Sequence, residues 1–365
     1  MKKKYASCLL FAVLSVTFFY LSAMFWGELS RSKERLMCTL SEPVSENQAS
    51  LLMEQYLEQL QEDLQADGKK QPLEFCIWGQ KEEVSLTNEN LSRSVPADVI
   101  IFCGSLELLF EDCRTPSWDD QQGCLLDEEA AWMLFGSVAA EGKEIILEEQ
   151  RYTVRKVISG KNGIAVIPAR SSKIQNGMPK KAENGQEEGI EEKILHRVTI
   201  KRTKNQSVSG QQAAWISQFG LPCDLLDLEF LRGICGFCVL LMPVAASSMF
   251  LYQLWKMYRK QELWRPKMVL LGILLLFAAL ILLQFQKWLQ IPDDYIPARW
   301  SEFEFWSQLL KQKEQAVRLL FSIPKTVLDY AWIGSFLKGA ATGISCFFCG
   351  VFLLMHLKIA DCQEA

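Results

Sequence analysis

Few residues in this chain are equipped for chemistry, and their types exclude more than they suggest. Histidine occurs twice, as His196 beside a strand-like run and as His356 near the end of an apolar one. A paired-histidine metal site or a Ser/His/Asp constellation needs more than that. No Gly-x-x-x-x-Gly-Lys-Ser/Thr loop is present, so the chain is not its own P-loop ATPase. Carboxylates are plentiful, with Asp119, Asp120, Asp127, Glu128 and Glu129 close together. Helix starts and charged loops account for them without general acid or base catalysis. The expectation is a protein that is not an enzyme and holds no cofactor and no metal.

Cysteine is the remaining reactive type, with 12 in the chain. Cys38, Cys76, Cys103, Cys113, Cys124 and Cys223 fall in one long polar stretch, an even number that an oxidising compartment would let pair. Cys113 with Cys124 or with Cys103 would brace the loop leading to Asp127, although spacing alone leaves the connectivity open. Cys235 and Cys238, like Cys346 and Cys349, match Cys-x-x-Cys but lie in apolar runs, where reduced and packed thiols are expected.

The elements that must position these residues divide sharply by hydropathy. Tyr5 to Trp26, Gly233 to Leu254, Met268 to Phe285 and Gly339 to Leu357 are nearly uncharged, and each is about the length that crosses a hydrocarbon core of roughly 30 Å. Four transmembrane helices follow, at 5–26, 233–254, 268–285 and, with an interfacial start, 332–357. Lys2, Lys3 and Lys4 before an apolar run also fit a signal peptide, but the run continues through Met24, Phe25 and Trp26, so an uncleaved anchor is expected. Those lysines, and Lys256, Arg259, Lys260, Arg265 and Lys267 in the short loop 255–267, put both loops on the cytoplasmic side. The short segment 1–4 and the tail 358–365 are then cytoplasmic, and 27–232 and 286–331 lie outside a plasma membrane whose lipid is the first partner. A net charge of −4 argues against nucleic acid.

Between the first two spans the pattern is that of a mixed α+β domain, helices alternating with short strands. Ser45 to Gln48 reads as a capping box before a helix with Leu51, Leu52, Tyr56, Leu57, Leu60 and Leu64 on one stripe. Leu73 to Trp78, Asp98 to Cys103 and Val198 to Ile200 are strand-like. Asp127 caps a helix that runs through Phe135 and ends at Gly136, and Ile145 and Leu147 alternate into a hairpin with Tyr152 and Val154. The polar stretch 178–193 is a surface loop or linker that divides the domain into two lobes. In the last outer connection, Trp300, Phe303, Trp306, Leu309, Leu310, Val317, Leu320 and Phe321 predict an amphipathic helix at about 300–322, lying at the outer membrane surface or packed beneath the outer domain. Gly339 and Gly343 form a Gly-x-x-x-Gly pair that packs on a neighbouring span or on a second copy of the chain.

A helix ending in Leu134-Phe135-Gly136, then Gly142-Lys143-x-Ile145, then a Tyr152-x-Val154 strand with Val157, resembles the extracytoplasmic core domain of macrolide-exporter (MacB)-like, FtsX-like ABC permeases. One span, a large outer domain and three further spans match that family's layout. The resemblance implies a membrane subunit, usually a homodimer or heterodimer with another permease-like chain, that moves its outer domain in response to a separate ABC ATPase and serves export or mechanical transmission. Leu134, Phe135, Gly136, Gly142, Lys143, Tyr152 and Val154 are then structural, and Lys256, Arg259, Lys260 and Arg265 face the ATPase. That loop is short and lacks the Glu-Arg/Glu-Ile-Gly type of coupling signature. The alternative is a membrane-anchored interaction or signalling protein whose outer domain binds a peptide, an envelope component or a hydrolase.

Overall fold

A computed structural model describes residues 2–31, 34–66, 72–111, 113–160, 162–170, 193–203, 207–226, 228–260, parts of 268–279, and 304–364. The apolar run 268–285 and the polar stretch 178–193 therefore lie largely outside the described residues. Two compact units emerge. One comprises Met1–Lys33, Asp227–Arg318 and Leu328–Ala365, and is helical where described; the other comprises Glu34–Leu226 and Leu319–Val327, and carries the strands.

In the strand unit, β1 (Arg35–Ser45) leads into α2 (Glu46–Ala66), after the first helix α1 (Lys2–Arg31). The capping box is present in full: the Ser45 amide donates to Gln48 Oε1 at 3.2 Å, and the Gln48 amide donates to Ser45 Oγ at 3.3 Å. The buried stripe of α2 differs from the one its leucines suggest. Ala49 and Tyr56 are buried and Met53 packs against the core, while Leu51 is 43% exposed. Aromatic mass decides the rotation of this helix. Tyr56 meets Phe75 at 5.3 Å between ring centroids and Phe219 at 5.6 Å.

The hairpin of β2 (Phe75–Asn88) and β3 (Arg93–Gly104) is the backbone of the sheet. A bulge between Lys81 and Val84 bends β2, with Glu83 at φ 53°. Below the bend β2 pairs with β8 (Lys193–Lys201), and above it with β5 (Glu144–Leu147). Because its other edge holds β3, the sheet closes on itself through β3, β7 (Ile164–Pro168), β4 (Gly123–Asp127), β6 (Gln150–Ile158), β5 and back to β2. The helix α3 (Glu128–Phe135) buries Ala130, Ala131 and Leu134 and packs against β2, β3, β4, β6 and β7 of this ring. From β2 the sheet continues through β8 and β1 to β9 (Cys223–Leu225), with α4 (Val208–Phe219) leading into that last strand.

The two-lobe expectation is corrected here. The strand that follows the polar stretch, β8, inserts between β2 and β1 of the same sheet, so the domain has one sheet and one continuous buried core. Trp215 of α4 is fully buried, meeting Phe75 edge to face at 5.1 Å between ring centroids and Phe219 of its own helix at a tilt at 4.3 Å, and it joins α4 to the sheet.

In the helix unit, α1, α5 (Leu228–Lys260) and α7 (Val327–Glu364) are long and apolar enough to cross a membrane, while α6 (Glu304–Ser322) interleaves apolar and charged residues.

Candidate functional site

The residues from Asp127 to Val157 form a packed framework. Asp127 ends β4 and is buried, and its two carboxylate oxygens serve different segments. Oδ1 accepts from the Ala130 amide at 2.8 Å and caps α3, while Oδ2 accepts from the Asn162 amide at 2.8 Å and holds the approach to β7. Gly136 and Gly142 take φ values of 68° and 78°, the left-handed region where a side chain would be strained. The Gly136 amide closes the helix onto Trp132 O at 2.7 Å, and the Gly142 amide donates to Val154 O at 2.7 Å.

Between those glycines the chain turns so that Lys143 Nζ sits 4.9 Å above the Phe135 ring. Leu134 is buried, and its carbonyl accepts from Asn88 Nδ2 at 3.2 Å. Tyr152 donates to Gln150 Oε1 at 3.1 Å and lies 3.5 Å from Arg170 Nη2; burial raises its phenol above the ordinary value. Leu134, Phe135, Gly136, Gly142, Lys143, Tyr152 and Val154 are thus neighbours in space. Their contacts are packing, turn geometry and backbone pairing, with no nucleophile held against a base.

A second arrangement lies at the end of α6. Leu319–Val327, the end of α6, the Pro324 turn and the first residue of α7, belongs to the strand unit rather than to the helices on either side. Two side chains hold it. Arg197 of β8, 1% exposed, donates from Nη2 to Pro324 O at 3.0 Å, and Gln80 of β2 accepts from the Val327 amide at 2.8 Å. Leu320 and Thr326 are buried there. Ionised donors make the stronger hydrogen bonds, and a buried arginine without acceptors would be costly. Arg197 was legible only as an arginine beside the strand-like run Val198 to Ile200; nothing local named Pro324 as its acceptor.

In the helix unit, Gly339 and Gly343 face helices of the same chain. A Cβ on Gly339 would lie 2.7 Å from Cys235 Sγ, and one on Gly343 would lie 2.9 Å from the Cys238 backbone and 3.0 Å from Ser22 Oγ. Ser22 Oγ donates to Gly339 O at 2.8 Å, and Cys346 Sγ donates to Ser15 O at 3.3 Å. Lys256 and Arg259 are exposed near the end of α5, with Arg259 5.5 Å from the Trp255 ring; Lys260 closes that helix, and Arg265 lies outside the described residues.

Cys103, Cys113 and Cys124 are all buried. Strand β7 stands between the strands that carry Cys103 and Cys124. Burial pushes both thiols up to about 12. Among the described residues no cluster of three or more metal-ligating side chains occurs.

No family model and no curated protein matches the chain. Among solved structures, the periplasmic region of MacB from Actinobacillus actinomycetemcomitans is similar over 55% of this chain and 91% of that one, at 14% identity and a TM-score of 0.36. The extracellular domain of the noncanonic ABC-type transporter YknZ from Gram-positive bacteria is similar over 53% of this chain and all of that domain, at 14% identity and a TM-score of 0.34.

Proposed function

We propose that the chain is a permease-like membrane subunit of an ABC-type export or mechanotransmission complex, with its strand unit outside the plasma membrane and a separate ATPase acting from within. The observation that carries this reading is the strand unit's hold on Leu319–Val327. Besides the chain passing from α1 to β1 and from β9 to α5, the sheet grips the start of α7 through Arg197 and Gln80. A displacement of that helix is thereby imposed on β8 and β2, the centre of the sheet. A domain merely displayed on an anchor has no need of such a grip. The motif residues from Leu134 to Val154 supply a stiff body for it to move. On this reading the charged side of the coupling is the basic stretch Trp255 to Pro266, which offers Lys256, Arg259, Lys260 and Arg265 to the ATPase.

The test is purification of the full chain from its native membrane in mild detergent, with mass spectrometry of what accompanies it and an ATP-hydrolysis assay. A stoichiometric P-loop ATPase is expected, and replacing Lys256, Arg259 and Lys260 by Glu should release it or disturb topology. Normal insertion with unchanged partners would refute the role of these residues. One observation favours a second reading: α3 turns Trp132 outward, 61% exposed, on the face away from the core. A complex without ATPase but with an extracellular partner would make the strand unit a recognition domain on a membrane anchor.

A further inference from the structure

Two thiols stand where the strand unit's chain arrives from and departs to the membrane helices. Cys38 lies on β1, and Cys223 opens β9, the short strand at the end of the sheet. The register pairs Cys38 with Leu225 and Leu40 with Cys223, so the two cysteines are diagonal neighbours on one face of an antiparallel pair. Each thiol shifts the titration of the other, raising Cys38 and lowering Cys223. Both are buried in the domain core, at 1% and 4% exposure. The backbone around them is fixed on both sides, by Ser41 N to Pro222 O at 3.0 Å and Leu226 N to Met37 O at 2.9 Å, while Gln212 Nε2 donates to Cys223 O at 2.6 Å.

We propose that Cys38 and Cys223 form a disulfide that staples the arriving strand to the departing one. In cells this rests on the outer placement of the strand unit, because an oxidising compartment must supply the partner disulfide. The step is thiol–disulfide exchange with an external disulfide, carried by an oxidised thiol protein or by oxidised glutathione. Cys223 attacks as thiolate, forming a mixed disulfide and expelling the first external thiol. Cys38 then loses its proton and attacks Cys223 Sγ, releasing the second. Two protein thiols are oxidised, one external disulfide is reduced to two thiols, and the two protons end on the released sulfurs. The order follows from the mutual influence of the two thiols, which lowers Cys223 below an ordinary thiol and raises Cys38. Position agrees, since Cys223 is on the terminal strand, where local opening exposes it first. The staple would tie the two ends of the domain together, so that α1 and α5 pull on one closed body.

The experiment uses the full chain in detergent, fully reduced and then exposed to oxidised glutathione, with remaining thiols alkylated before peptide mapping. A linked Cys38–Cys223 peptide is expected as the predominant cross-link, with loss of two alkylatable thiols per chain and reversal by reductant. Cys38→Ala should leave a glutathione adduct on Cys223, whereas Cys223→Ala should leave Cys38 unmodified, which reads the order of attack. Free thiols or separate adducts at both positions in the wild-type chain, with no linked peptide, would overturn the proposal. A pair found reduced in the native membrane but linked on treatment in vitro would support the staple chemistry and remove the outer placement on which the proposed function depends.

Discussion

The strand unit and the helix unit obey opposite burial rules. In the strand unit the apolar side chains are inside: Trp78, Trp215, Tyr152, Phe75 and Phe102 are all but inaccessible. In the helix unit the large apolar side chains face outward, with Val16 and Tyr20 each 70% exposed, while Ser15, Ser22, Cys235, Cys238 and Cys346 are turned in. Water drives the first arrangement by expelling apolar surface. Hydrocarbon removes that drive, so helices associate by close approach at small residues and by polar contacts between them, as Gly339, Gly343 and Ser22 do. One chain thus carries two solvents' solutions, and the Leu319–Val327 segment is where an element flanked by helices is held by the rules of the sheet.

The largest effect should come from hollowing the water-driven core. Trp215→Ala removes the ring that joins α4 to Phe75 of the sheet, at a cost of about 3–5 kcal/mol. Limited proteolysis of the full chain in membranes should then cut the strand unit rapidly while α1, α5 and α7 stay inserted; equal loss of both units would deny that they are stabilised separately. A charge on the outward face sharpens the contrast. Val16→Asp should cost about 2.5–3.5 kcal/mol, measured as insertion of α1, whereas Val138→Asp, also exposed but in the strand unit, should stay within about 0.5 kcal/mol. Similar costs at the two positions would mean that α1 does not meet lipid.

The grip on α7 is expected to be worth less. Arg197→Met keeps the length of the side chain but leaves Pro324 O without this donor, a loss of about 1.5–3 kcal/mol. Tryptic cleavage after Lys325 should accelerate with the rest of the strand unit unchanged, and no change would show that Gln80 and packing hold the segment without Arg197. The gentlest test is alkaline pH. Cys103 and Cys124 titrate at about 12 in the folded domain against an ordinary 9.0, so they keep their protons while an unfolded chain gives them up. Their contribution is full below pH 9 and is lost as pH rises toward 12, at up to about 1.4 kcal/mol per pH unit for each thiol. Cys124→Ala should flatten the decline in thermal midpoint over that range relative to wild type.

The residues explain what could be foreseen. The Asp127 cap, the Gly136 stop, the box at Ser45 and Gln48, and the turn at Glu148 and Glu149, where φ is 46° and 66°, are local, so short windows of sequence announce them. The long β2–β3 hairpin was harder to see, because its upper half is polar. Ser85 and Ser94 bond across it at 2.6 Å, and Thr87 reaches Ser94 at 3.4 Å, in a ladder that resembles loop composition when read along the chain. The rotation of α2 was missed because leucine counts for more than alanine in a periodicity, while in space the large rings of Tyr56, Phe75 and Phe219 chose the face.

By itself, then, the sequence determined the apolar helices, the caps and turns, and the presence of a mixed α+β domain, because each depends on hydropathy or on backbone preferences within a few residues. Only the tertiary structure decided that β8 returns to the middle of one sheet, that Arg197 holds Pro324, that Gly343 meets Cys238, and that Cys38 lies beside Cys223. Those pairings join residues far apart in the chain. They arise from the closing of the sheet and the packing of helices, where a partner is selected by shape and by the need to satisfy buried polar groups rather than by any signal in its own neighbourhood.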